Sequence, residues 1–147
     1  MSIKQLNTLY KFEKDREQQA ANQLQLAEAD YQQNIVRLQS VSDYRLEYMK
    51  RLSERSEVGI DSATYSHFHA FVSKLDYASE QVKIALEQAK ALVQQRKQQW
   101  LAQQQKVQAV ELLREKLLIK QQQKAQKLEQ KMFDEIATQQ FVRRKLR

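Results

Sequence analysis

The stretch Ser53-Glu-Arg-Ser-Glu-Val-Gly-Ile-Asp-Ser62 holds the only glycine, Gly59, of a 147-residue chain that has no proline at all. Glycine and proline are the usual punctuation of a fold, because one supplies positive φ and the other ends helices and strands. With a single breaker region, the chain has one place to turn. The economical reading is all-α: a helix over about residues 3–55, a bend at about 56–61 and a second helix over about 62–145. Together these form an antiparallel coiled-coil hairpin and a single domain over residues 1–147. Asp61 and Ser62 are both suited to cap the second helix, since either side-chain oxygen can accept an orphan backbone N–H.

Working outward from the bend, the first helix fits one heptad register. Its a positions are Ile3, Tyr10, Glu17, Leu24, Tyr31, Leu38, Arg45 and Leu52, and its d positions are Leu6, Glu13, Ala20, Ala27, Asn34, Val41 and Tyr48. Polar residues in such a seam lower stability while helping to fix register. In the second helix Leu75, Ala78, Val82, Ala85, Ala89 and Leu92 follow one register, which fails at Arg96 and Gln99. A shifted seam then runs through Val93, Trp100, Val107, Val110 and Leu117. This change is a stutter, which alters the supercoil locally. The second arm is longer than the first, so about 30 C-terminal residues are expected to lack an intramolecular partner, at 1.5 Å of rise per residue in both arms.

Composition agrees with long helices. Gln alone is about one residue in six, and strong helix formers dominate. The chain has no cysteine, which excludes disulfides and thiolate metal sites. The N-terminal residues hold no apolar run of signal-peptide length, and no window is apolar enough to span a bilayer. A soluble cytoplasmic protein is expected. The formal net charge of +7 is uneven: +1 over residues 1–55, −2 over 56–92 and +8 over 93–147. A basic distal segment ending Arg143-Arg-Lys-Leu-Arg147 points to an acidic partner. Nucleic acid is not expected, because no aromatics interleave the Lys116–Lys131 stretch.

Catalysis is not expected either. His67 and His69 are two residues apart, so on a helix they face different ways and cannot share a metal. One glycine cannot build a phosphate loop, and no nucleophile, base and oxyanion set is present. No cofactor is implied. More informative are Tyr44, Tyr48, Tyr65, Phe68, Phe71 and Tyr77, six aromatics clustered about the bend. Val41, Tyr44 and Tyr48 form one helical stripe; Phe68, Phe71 and Leu75 form another. Two readings stand: the stripes close the hairpin end by packing together, or part of the cluster is an exposed docking patch.

Three segments together resemble the flagellar FliJ family. They are Asp43-Tyr-Arg-Leu-Glu-Tyr48; Gly59-Ile60 with Tyr65-Ser-His-Phe-His-Ala-Phe71 and Leu75; and Trp100 with Ala109-Val-Glu-Leu-Leu113 and Lys131-Met-Phe-Asp-Glu-Ile-Ala137. The resemblance implies a non-enzymatic hairpin similar to the gamma-subunit shaft of rotary ATPases. It implies a central stalk of the flagellar type III export apparatus that inserts into the hexameric export ATPase FliI, contacts the export gate FlhA and binds export chaperones. The implied location is cytoplasmic, peripheral to the inner membrane. Carried onto this chain, the gate-docking residues are Val41, Tyr44, Tyr48, Phe71, Leu75 and Ala78, with Val82 in the same stripe. The paired termini and protruding helix enter the ring, and the expected contacts there are Lys116, Lys120, Lys124, Lys127, Lys131, Arg143 and Arg144. The alternatives are a stalk of a virulence-type secretion system, a basic coiled-coil nucleic-acid binder and a generic coiled-coil scaffold.

Overall fold

The structure, a computed structural model, describes residues 1–146. It consists of two long helices that pack against each other as a helical hairpin, α1 (Ile3–Val58) and α2 (Ser62–Lys145). A capping box opens α1: the Gln5 N–H donates to Ser2 Oγ at 3.2 Å, and the Ser2 N–H donates to Gln5 Oε1 at 3.0 Å. The helix runs on to Val58, past the expected end near residue 55. Seam residues stop at Leu52, but the backbone needs no burial to stay helical for another turn, and only the positive φ of Gly59, 98°, breaks it. Of the two candidate caps for α2, Asp61 takes the role; its Oδ1 accepts the Thr64 N–H at 3.0 Å. Hydrogen bonds from Thr64, its hydroxyl first and its backbone N–H second, hold the Asp61 carboxyl below its ordinary pKa.

The described residues fall into two compact units, Met1–Glu17 with the part of α2 from Ala102 onward, and Gln18–Leu101. In the first, Asn7 accepts from Arg114, Tyr10 donates to Glu111 and Glu13 accepts from Gln103. Rising numbers on α1 meet falling numbers on α2, so the strands of the pair are antiparallel. Leu6, Val107 and Val110 are its buried apolar core, each stabilising by about 2 kcal/mol. Gln103 is also buried and donates to the Glu13 carbonyl at 3.0 Å as well as to its carboxylate. A buried amide is tolerated in the seam because both bonds replace those it would make to water.

In the second unit Gln23 accepts from Arg96, and Arg45 pairs with Asp76 at 2.6 Å, again with antiparallel order. Ala27, Leu52, Phe68, Val72 and Ala89 are buried, and so is Asn34, whose Nδ2 donates within its own helix to the Asp30 carbonyl. Along α1, all fifteen a and d positions from Ile3 to Leu52 escape full exposure, including the polar ones.

The seam of α2 changes step as its sequence suggests. It advances by alternating threes and fours through Phe68, Phe71, Leu75, Ala78, Val82, Ala85 and Ala89. It then takes a second four to Val93 and resumes through Arg96 and Trp100. Two fours in succession define the stutter. Leu92, a seam residue by the first register, is left exposed at 36%. Arg96 stays in the new seam, half-buried, and its guanidinium reaches Gln23 and Gln99 at 3.0 and 3.1 Å.

Candidate docking surfaces

The aromatic cluster of the second unit is built from one turn of each helix. Tyr48 lies at its centre, with ring centroids 4.9 Å from Phe68 and 4.4 Å from Phe71. Tyr44 stacks on Tyr48 at 6.3 Å and meets Phe71 edge-on at 5.9 Å. Phe68 is buried, with the Arg55 guanidinium 5.6 Å from its ring. Of the residues expected to dock the gate, Val41, Tyr48, Phe71, Leu75 and Ala78 are half-buried seam positions, whereas Tyr44 is 49% exposed. The cluster therefore has a packed interior and an open edge. Both readings drawn from the sequence describe part of it. Phe68, which ranks with the cluster by spacing, supplies the interior.

Arg45, at an a position beside this edge, bridges to Asp76 of α2. The sequence carries a signal for that pair, since the two residues lie nearly equidistant from Ile60 and bear opposite charges. Tyr65 and Tyr77 are exposed. His69 rests edge-on against Tyr65 at 4.4 Å on the same helix. Among the described residues no group of His, Cys, Asp or Glu is placed to hold a metal ion.

In the first unit, Leu117 is the last residue of α2 that is not fully exposed; every residue from Leu118 to Leu146 is exposed. Lys116, Lys120, Lys124, Lys127 and Lys131 recur at steps of four, four, three and four. At 100° per residue that spacing keeps them within about 80° on one flank. Arg143 and Arg144 are exposed but lie on other faces, so the expected contact set divides. Lys145, which the sequence reading left out, falls back on the lysine flank, fourteen residues beyond Lys131, and its Nζ lies 5.0 Å from the Phe141 ring centroid. Arg147 lies outside the described residues.

Nearer the start of α1, the Arg114 guanidinium lies 4.4 Å from the Tyr10 ring centroid, and the Tyr10 hydroxyl donates to Glu111 at 3.1 Å. Lys14 sits 3.2 Å from Glu17, whose carboxylate raises the Lys14 pKa by hydrogen bonding and charge. No helix among the described residues is long and apolar enough to cross a membrane.

These features define a class: a two-helix coiled-coil protein whose distinctive chemistry lies on open faces, one aromatic and one basic. The family model described as "Flagellar FliJ protein" matches residues 1–146, and the chain belongs to that family. It is thus a component of the flagellar protein export apparatus. No curated protein and no solved structure matches the chain.

Proposed function

We propose that this chain is the non-enzymatic central stalk of the flagellar type III export apparatus, acting in the cytoplasm at the inner face of the membrane. As a single coiled-coil domain it would insert the basic end of α2 into the ring of the export ATPase FliI and present its aromatic edge to the gate FlhA. The same open surfaces serve as escort sites for export chaperones. The observation that carries the reading is the segment Leu118–Leu146, where seven basic and three acidic residues are exposed on a helix. A lone polar helix of this length is marginal in water and gains order from a partner.

The physical logic follows from side-chain type. A shaft that meets nonequivalent ring subunits in turn needs many weak, exchangeable contacts. Exposed Lys and Arg against acidic loops provide them, because each solvated ion pair contributes only about 0–1 kcal/mol. Tyr44, Phe71 and Leu75 instead offer a firmer, partly apolar anchor of the kind that dominates binding energy. The test is reconstitution. Adding the chain to the isolated ATPase should promote hexamer formation and hydrolysis, and changing Lys116, Lys120, Lys124, Lys127 and Lys131 to Glu should abolish both effects. Undiminished stimulation by the reversed chain would reject the assignment of the ring contact.

A further inference from the structure

The exposed segment Leu118–Leu146 carries an apolar stripe beside its charged flank. Leu128, Met132 and Ile136 follow at intervals of four and are 63, 58 and 50% exposed, and Ala125 precedes them on the same face. The flank next to this stripe is basic through Lys120, Lys124, Lys127 and Lys131, then turns acidic at Asp134 and Glu135. A helix with that order of charge is complementary to itself when turned end for end.

We propose that two copies of this chain pair antiparallel through this segment, centred near residue 130. In that register Leu128 meets the partner's Met132, and Ala125 meets the partner's Ile136. Lys124 and Lys127 lie opposite the partner's Glu135 and the partner's Asp134. In antiparallel coiled coils like flanks face each other, so each charged contact occurs twice by symmetry. Residues 118–146 supply about 44 Å of helix, or about four heptads, enough for a two-stranded coil.

Charge order selects the occupant. A uniformly acidic helix or an anionic lipid surface satisfies the lysines but is repelled by Asp134 and Glu135 on the same flank; a second copy satisfies both halves. Near the two-fold axis Lys131 lies beside its own counterpart, and this like-charge contact keeps the pairing weak and reversible. Pairing covers Lys124 and Lys127, so a paired chain withholds them from any other acidic partner. The inference does not depend on the ring reading, because it concerns the protein alone.

The test is sedimentation velocity on the full chain at low salt, across micromolar concentrations. A monomer–dimer equilibrium is expected. Lys124→Glu or Glu135→Lys alone should weaken it about tenfold, since two symmetric attractions become repulsions. Both changes in one chain should restore it, and Lys131→Gln should tighten it. A chain that stays monomeric, a dimer indifferent to the single reversals, or a double exchange that fails to restore pairing overturns the proposal. A monomer that instead binds phosphatidylglycerol vesicles also overturns it and assigns the face to lipid.

Discussion

Truncating Tyr44 and Phe68 separately distinguishes a docking edge from a packed core. Phe68 is 8% exposed and Tyr44 is 49% exposed, although both rings join the same aromatic cluster. Removing the buried Phe68 ring opens a cavity that the flanking seam cannot fill, so Phe68→Ala should cost about 3 kcal/mol. Tyr44→Ala forfeits a stack at 6.3 Å and an edge contact at 5.9 Å, each half in solvent, for a loss of about 1 kcal/mol. Urea denaturation followed by helical circular dichroism measures both, and a gap of about 2 kcal/mol is expected. In the same preparations Tyr44→Ala should weaken binding to the gate protein at least about tenfold, with helicity unchanged. Equal stability losses would show that Tyr44 belongs to the core, and the docking argument would fail with it.

Three further outcomes test the fold. Gly59→Ala should destabilise by about 1 kcal/mol, because no atom lies within 4 Å of the added Cβ and the cost is the left-handed backbone alone. A denaturant midpoint equal to or above the wild type's contradicts this. Asn34→Leu should raise stability by about 1–2 kcal/mol, since a buried amide bonded only within its own helix is exchanged for an apolar side chain; a lower denaturation midpoint would contradict it. The Asp61 carboxyl is held below its ordinary pKa, so its stabilising share is present above the unfolded-state value and is lost as pH falls through the folded value. Asp61→Asn keeps a capping oxygen that does not titrate, so wild type should lose ground to this variant as pH drops below about 4. Parallel pH profiles would remove Asp61 from the account.

The hairpin was legible because one local fact, a lone glycine among strong helix formers, controls it. The α1 register was equally open to reading: period alone placed Glu13, Glu17, Asn34 and Arg45 in the seam, and all four escape full exposure. What those polar residues do there was not legible. Arg45 reaches Asp76, and Glu13 receives Gln103, pairings that depend on the register across the bend rather than on either helix alone. The stutter was visible as a failing repeat, but its consequence for Leu92 and Arg96 was not, because periodicity reports which residues are apolar and not how far a helix rotates to satisfy its partner. The aromatic cluster showed the same limit. Spacing gave two stripes, whereas the division between buried Phe68 and exposed Tyr44 comes from the crossing of the two helices.

Hydrogen exchange resolved along α2, on dilute protein with and without the export ATPase, tests the central claim most directly. Alone, amides from Ser62 to Leu117 should be protected and those from Leu118 onward should exchange faster; with the ATPase present, the distal segment should gain protection. Uniform protection in the free chain, or a distal segment that exchanges equally fast with and without the ATPase, would contradict the account.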